Sequence, residues 1–211
     1  MTVVKICGVR SQADAAVAVH AGATLVGFNF WPSSPRYIPP AMAARIRVPR
    51  GITRVGLFVD APEDDVRRIA EEAAIELVQL HGNEGPAFCR RLGRPFMKAF
   101  RLKDETVLRT IPAFLDAPDH PFLVDAWVPG KMGGTGMTVR FDLARRARDL
   151  GDRCLLAGGL TEVNVAAAIA AVAPWGVDVA SGVERLPGEK DPALVLGLLR
   201  AVAEADRIVR P

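Results

Sequence analysis

The sequence is poor in the residues that disulfide frameworks, metal sites and membrane spans require. It has 3 Cys and 3 His among 211 residues, and only 6% of the chain is aromatic. Cys7, Cys89 and Cys154 are an odd number without close pairing, and no His or Cys pair has metal-ligand spacing, so neither disulfides nor a metal are expected. Apolar runs are broken by Gly, Pro or charge before the roughly 20 residues that a membrane span needs, so no membrane association is predicted.

An excess of one charge is also lacking. The chain has 27 Lys and Arg against 24 Asp and Glu, a formal net charge of +3. Basic residues are interspersed with acidic ones and form no block, which argues against a nucleic-acid partner, whereas a mild positive potential suits a small anionic substrate. The first residues enter an apolar strand without a signal-peptide pattern, and together with the unpaired cysteines this predicts a cytoplasmic protein.

Several catalytic motifs are missing as well. The sequence contains no nucleophile elbow and no Walker motif, which disfavours serine hydrolysis and nucleotide hydrolysis. The loop after the first predicted strand reads CGVRSQ and has no GxGxxG, so the dinucleotide site of a doubly wound open sheet is not expected there. We therefore expect no cofactor.

What the sequence does contain is a regular alternation of strand and helix patterns. Short apolar runs alternate eight times with Ala-, Leu- and Arg-rich segments of helical periodicity, at roughly 26 residues per unit. This predicts an α/β fold, a (β/α)8 TIM barrel that occupies residues 1–211 as a single domain, with the doubly wound sheet as the alternative. The predicted strands cover residues 3–6, 25–28, 54–58, 76–80, 96–100, 122–125, 154–157 and 177–180.

Helix starts are marked by capping residues. Ser11, Thr161 and Asp191 precede helical runs and are predicted N-caps, and Pro192 suits the first helical position.

Reactive side chains stand at the ends of three predicted strands, where β/α barrels place their chemistry. Cys7 ends the first strand in KICG, and it is either a small core residue or a reactive thiol. Asp125 ends the sixth strand in FLVDAW and suits a general acid, although a cap or a buried ion pair is the plain alternative. His81 follows the fourth strand and either orients a substrate or stabilises the turn beside Gly82.

Glycine-rich loops follow the last two strands, AGGL at 157–160 and SGVE at 181–184. Barrels often bind phosphate at these loops, because glycines allow backbone N–H groups to converge on an oxyanion. The alternative is that both segments are ordinary βα turns without a ligand. The pair of loops predicts a phosphate site at Gly158, Gly159, Ser181 and Gly182.

Two further loops are candidates for binding. PGKMGGTG at 129–136 follows the sixth strand, and its glycines, Gly133, Gly134 and Gly136 among them, predict a flap that closes over a ligand, or else a plain connection. Arg36 in SPRYIPP lies between prolines in a stiff loop, where it can form a fork to a carboxylate or be an ordinary surface arginine.

Seven sequence blocks resemble those of phosphoribosylanthranilate isomerases, in the same order across essentially the whole chain. They are KICG, GFNFWPSSPRYI, VGLFVD, VQLHGNE, LVDAW with GGTG, LLAGGL and GVDVASGVE. The resemblance implies an Amadori rearrangement of N-(5-phosphoribosyl)anthranilate in tryptophan biosynthesis. Because the predicted helices show no obvious exposed apolar stripe, we expect a monomer or a homodimer.

The resemblance also implies roles for individual residues. Asp125 would protonate the furanose ring oxygen, and Cys7 would remove the C2 proton as a thiolate. Arg36 would hold the anthranilate carboxylate, the glycine-rich loops the phosphate, and Asp178 a ring hydroxyl or a structural contact. An ordinary thiol has a pKa near about 8.5, so ionised Cys7 would need positive potential around it.

Two rival functions remain at this point. Another phosphosugar isomerase or epimerase would share the phosphate loops, but usually relies on carboxylates, histidine or a metal. A non-catalytic barrel that binds phosphorylated metabolites is the second. Cys7 together with Arg36 argues against the first, and Cys7 with Asp125 argues against the second.

Overall fold

The computed structural model describes residues 1–126 and 141–209. Eight parallel strands form a closed barrel in sequence order, and β1 pairs with β8 to complete it. The sequence predicted every strand to within one residue at either end, and the TIM-barrel prediction is confirmed. The strands are β1 Val3–Cys7, β2 Leu25–Asn29, β3 Thr53–Phe58, β4 Leu77–Leu80, β5 Phe96–Arg101, β6 Phe122–Asp125, β7 Cys154–Ala157 and β8 Gly176–Val179.

The helices lie outside the strands, and within the described ranges one βα unit has no α-helix. After β5 the chain forms two 3-10 turns, Glu105–Arg109 and Ile111–Phe114, so a helix in every unit was a wrong prediction. Pro112 lacks an N–H and interrupts any longer helix at this point. The α-helices are α1 Gln12–Ala21, α2 Pro40–Arg45, α3 Glu63–Glu72, α4 Pro86–Arg91, α5 Phe141–Arg148, α6 Val165–Val172 and α7 Pro192–Val209.

Two of the three predicted N-caps are confirmed. The Ser11 hydroxyl accepts from the Asp14 N–H at 3.0 Å in a capping box, and Asp191 accepts from the Ala193 N–H at 2.8 Å. Thr161 is not the cap of α6, because the helix begins at Val165 and Asn164 is its N-cap.

The core has two layers, which follow from the alternation of side chains along each strand. The outer layer packs the strands against the helices, and Val4 and Ile6 of β1 belong to it. The inner layer fills the barrel, and it consists of Leu25, Val55, Leu77, Met97, Ala99, Leu123, Leu155 and Ala157. Lys5 pairs in register with Leu25 of this inner layer, so a charged residue of β1 points into the barrel.

The two ends of the described chain meet beside β1. The backbone N–H and the hydroxyl of Thr2 each donate to the Asp206 carboxylate of α7 at 2.6 Å. A short hairpin, β9 Glu184–Leu186 with β10 Glu189–Lys190, lies between β8 and α7 and was not predicted from the sequence. None of the described helices has the length and apolar character to cross a membrane.

Candidate active site

The predicted reactive residues lie at one end of the barrel. Cys7 is the last residue of β1, Asp125 is the last of β6, and His81 directly follows β4. Asp178 lies within β8. Since all eight strands are parallel, their carboxyl ends open at the same mouth, where β/α barrels bind their substrates.

Cys7 lies in a tightly packed place at this mouth. Its side chain is buried, with 4% of the residue exposed, and it pairs in register with Gly27 of β2. A Cβ atom at residue 27 would lie 3.1 Å from Cys7 Sγ and 3.0 Å from Lys5 Nζ. The absence of a side chain at Gly27 thus leaves the thiol and the Lys5 ammonium facing each other.

Lys5 and Asp178 form a buried ion pair between β1 and β8. Lys5 Nζ donates to Asp178 Oδ1 at 2.8 Å, and the lysine is fully buried. Burial opposes the charged form of Lys5, but the attraction of Asp178 and of Cys7, with the hydrogen bond to Asp178, raises its pKa. Asp178 was expected to bind a ring hydroxyl or to act structurally, and the ion pair gives it a structural contact.

Arg36 forms its fork with a carboxylate of the protein. Nε and Nη2 donate to the two carboxylate oxygens of Glu184 at 2.8 and 2.7 Å. Glu184 also accepts from the buried Lys190 ammonium at 2.8 Å, and Lys190 donates in addition to the Ala180 carbonyl at 3.1 Å. Arg36 is therefore an oriented guanidinium, not a loose surface side chain.

Opposing influences act on Glu184. Burial favours its neutral form, but the hydrogen bonds from Arg36 and Lys190 outweigh burial and lower the pKa of Glu184. Burial lowers the pKa of Lys190 despite the same carboxylate. Neither Glu184 nor Lys190 was predicted, although Glu184 lies in the SGVE motif.

His81 is a neutral ring close to both carboxylates of the mouth. Burial lowers its pKa, although the charges of Asp125 and Asp178 act in the opposite direction. The side-chain nitrogen of Gln79 lies 3.2 Å from His81 Nδ1. An amide nitrogen can only donate, so in this orientation Nδ1 accepts and the ring proton is on Nε2. The backbone N–H of His81 also donates to Phe58 at 2.9 Å, which anchors the turn.

The predicted phosphate loops follow β7 and β8. Gly158 and Gly159 have φ of +107° and +63°, left-handed values that other residues rarely adopt. A Cβ atom at Gly182 would overlap the carbonyl oxygen of Leu160, so the two loops touch each other here. Ser181 begins a 3-10 turn, Ser181–Val183, which is separated from the end of β8 by Ala180.

Asn164 holds the first of these loops in shape. Its side chain accepts from the Thr161 N–H at 2.8 Å and donates to the Gly159 carbonyl at 2.9 Å. The loop conformation is therefore fixed by the protein itself before any ligand arrives.

A cavity of about 700 Å³ opens beside the mouth, above β3, β4 and β5. Its lining combines aromatic and basic side chains, which suits an anion that carries an apolar group. Among the lining residues are Trp31, His81, Lys98, Phe100, Arg101 and Lys103.

The remaining predicted residues need only brief mention. Gly133, Gly134 and Gly136 of the predicted flap lie outside the described residues. Cys89 and Cys154 are buried, and burial raises the pKa of both thiols, that of Cys89 to about 11. Across residues 1–126 and 141–209, no cluster of three or more potential metal ligands is found.

Comparisons with known proteins agree with this geometry. A family model for N-(5'phosphoribosyl)anthranilate (PRA) isomerase matches residues 4–201. The N-(5'-phosphoribosyl)anthranilate isomerase of Citrifermentans bemidjiense is 48% identical over 99% of this chain and 98% of its own length.

Solved structures give the same result. The phosphoribosyl anthranilate isomerase of Thermotoga maritima superposes with a TM-score of 0.89 at 36% identity, covering 97% of this chain and all of its own. A structure of such an isomerase in complex with reduced 1-(o-carboxyphenylamino)-1-deoxyribulose 5-phosphate has a TM-score of 0.86 at 33% identity, covering 97% of this chain and 100% of its own. The chain belongs to the phosphoribosylanthranilate isomerase family.

Proposed function

We propose that this chain isomerises N-(5-phosphoribosyl)anthranilate to 1-(2-carboxyphenylamino)-1-deoxyribulose 5-phosphate in tryptophan biosynthesis, with Asp125 as the general acid and Cys7 as the general base. One observation carries the assignment: in a chain of this family, a thiol and a carboxylate end two strands, β1 and β6, that open at the same mouth. No cofactor is required, because both steps are proton transfers.

The reaction has two stages. Asp125 donates its proton to the furanose ring oxygen, the bond from C1 to that oxygen breaks, and the nitrogen lone pair forms a C1=N iminium ion. The Cys7 thiolate then takes the C2 proton, and the C2–H electrons form a C1=C2 double bond while the C=N electrons return to nitrogen. The resulting enolamine gains a proton at C1 and loses one from its C2 hydroxyl, which gives the ketone.

Binding of the substrate uses both of its anionic ends. The backbone at Gly158, Gly159, Ser181 and Gly182 holds the phosphate, where left-handed glycines leave room for close approach. Arg36 holds the anthranilate carboxylate with donors that Glu184 does not use, since the pair with Glu184 occupies Nε and Nη2.

Two further side chains contact the substrate. His81 orients the substrate through the proton on its Nε2, and Asp178 contacts a ring hydroxyl with the oxygen that does not receive Lys5. We further propose a single catalytic domain over residues 1–211 that acts in the cytoplasm as a monomer or homodimer.

The experiment is the decay of phosphoribosylanthranilate fluorescence, with the substrate generated in place from anthranilate and phosphoribosyl pyrophosphate. Cys7→Ser and Asp125→Asn should each lower kcat by about a hundredfold or more, the range for loss of a general acid or base. Cys154→Ala removes a buried thiol at the start of β7, the end of the barrel opposite the mouth, and should retain turnover. Near-wild-type turnover in either of the first two variants would remove that residue from its role.

A second variant tests the binding of the carboxylate. Arg36→Ala should mainly raise KM, because the guanidinium contacts the part of the substrate that does not react. An unchanged KM in the same assay would contradict the assignment. Absence of any decay from folded wild-type protein would favour another phosphosugar substrate or a binding role.

A further inference from the structure

Lys5 is a buried cation that the proposed acid–base steps do not use. It stands two residues before Cys7 on β1, and residues at this spacing share one face of a strand. Its neighbours Val4 and Ile6 face the helices, so Lys5 and Cys7 share the inner face of the barrel. A long side chain at this position can therefore reach the thiol of the residue above it.

The space between the two groups is kept open by a glycine. A Cβ atom at Gly27 would lie 3.0 Å from Lys5 Nζ and 3.1 Å from Cys7 Sγ, so both atoms border the same small volume. The ammonium is held there by Asp178 at 2.8 Å. Any larger residue at 27 would enter the space between ammonium and sulfur.

The other charged groups around Cys7 come from several elements. Arg36 from the loop after β2 and Lys190 from the hairpin both attract its thiolate. Glu184 shares its charge between these two cations. His81 from β4 is neutral, and Asp125 lies on β6 at the same mouth.

The three cations near Cys7 differ in the other groups that they contact. Arg36 and Lys190 share one carboxylate and Lys190 also binds a backbone carbonyl, whereas the Lys5 ammonium donates to Asp178 and borders the space beside the Cys7 sulfur. Lys5 is also the most deeply buried of the three, and charge interactions are strongest where water is excluded.

We propose that Lys5 is a positioning residue that stabilises the thiolate of Cys7, with Asp178 holding its ammonium against the sulfur and Gly27 leaving the space for that contact. The proposal deepens the assigned role of Cys7 but can be tested without substrate. It predicts that the fraction of ionised Cys7 at neutral pH depends on the Lys5 charge.

The test is a titration of the thiolate by ultraviolet absorbance, in which the Cys7→Ser protein is subtracted to isolate Cys7. Removing both charges with Lys5→Met/Asp178→Asn avoids leaving one buried charge unpaired. The midpoint should move upward by about one pH unit or more, which is about a tenfold smaller thiolate fraction at pH 7. A midpoint equal to that of the wild type would overturn the proposal.

Two further variants make the test independent of folding defects. Lys98→Met/Glu84→Gln removes an equally buried lysine–carboxylate pair and should leave the Cys7 midpoint unchanged; an equal shift would mean that burial of any pair, and not Lys5, is responsible. Gly27→Ala keeps both charges of the ion pair and fills the space between ammonium and sulfur, so the midpoint should rise. If the Lys5 double variant fails to fold, a rise in Gly27→Ala supports the proposal and an unchanged midpoint overturns it.

The titration and the turnover assay can fail separately. A shifted midpoint in a protein without isomerase activity would support Lys5 and contradict the proposed function. An unshifted midpoint in an active enzyme would contradict Lys5 alone.

Discussion

Two buried ion pairs lie in the same barrel, and they are used differently. Lys5 with Asp178 and Lys98 with Glu84 have almost equal separations, 2.8 and 2.9 Å, and almost equal burial. Lys98 Nζ also donates to the carbonyls of Gly82 at 2.6 Å and Leu80 at 3.3 Å. The Lys98 ammonium therefore stabilises backbone carbonyl groups at the end of β4 and in the loop that follows it.

The carboxylate of this second pair, Glu84, also has hydrogen-bond partners other than its lysine. Glu84 accepts from the backbone N–H groups of Asp60 at 2.8 Å and Gly82 at 3.0 Å. The Lys5 pair faces a thiol instead of a loop backbone. The comparison teaches that burial and distance do not tell a structural ion pair from a functional one; the remaining partners of the ammonium do.

The largest expected effect is a loss of stability, and it should be similar for the two ion pairs. Lys5→Met and Lys98→Met should each lower the free energy of unfolding by about 3–5 kcal/mol, because each leaves a buried carboxylate without its cation. Urea denaturation measures this. The double variants that remove both charges should recover much of the loss, and a single variant as stable as the wild type would show that its pair is not buried in solution.

A smaller effect is expected from replacing the glycine beside each ion pair, Gly82 near Lys98 and Glu84 and Gly27 near Lys5 and Asp178. A Cβ at Gly82 would lie 2.6 Å from the backbone nitrogen of Asp60, and one at Gly27 would press on Lys5 and Cys7. Gly82→Ala and Gly27→Ala should each cost about 1–3 kcal/mol through overpacking.

Only Gly27→Ala should also raise the midpoint of the Cys7 titration, because the added methyl group separates ammonium and sulfur. The same absorbance measurement on both proteins decides this. A shift in Gly82→Ala of the same size would erase the distinction between the two pairs.

The smallest effect concerns a further carboxylate, Glu184, which two cations share. Its pKa is lowered from 4.5 in the folded protein, so its contribution to stability is present above that pH and is lost as the pH falls below it. The stability difference between wild type and Glu184→Gln should therefore shrink as the pH falls below 4.5.

Glu189→Gln is the matched control for this measurement. Glu189 lies on the same hairpin and pairs with Arg185 at 2.8 Å, but both side chains are exposed and such pairs contribute little. Urea denaturation at several pH values should show a nearly constant, small difference for this variant. A constant difference for Glu184→Gln would mean that its ion pairs do not form in solution.

The strands could be predicted because burial on both faces leaves a local signal. A strand between barrel interior and helices reads as a short apolar run, as in Phe122–Asp125, and polar residues mark its end. The prediction of an α-helix after β5 was wrong. The 3-10 turns found there bury only a few side chains, among them Ile111 and Phe114, and leave no helical periodicity to detect.

The positions of Cys7, Asp125 and the glycine-rich loops at strand ends could be predicted, because the strands that they end or follow leave a local signal. The ion pairs were not, because Arg36 and Glu184 are 148 residues apart in the sequence and spacing does not reveal their contact. Lys5 did leave a signal, since a lysine two residues before Cys7 in a buried strand must face the same side.

The distance in sequence between Lys5 and its partner affects how the enzyme is made. Asp178 follows Lys5 by 173 positions, and Glu184, which orients Arg36, comes later still. During synthesis, Cys7 and Asp125 are made long before Asp178 and Glu184, the carboxylates that hold Lys5 and Arg36. A product interrupted before β8 would contain Cys7 and Asp125 yet lack the groups that order Lys5 and Arg36, so we expect activity only once the last strand has closed the barrel.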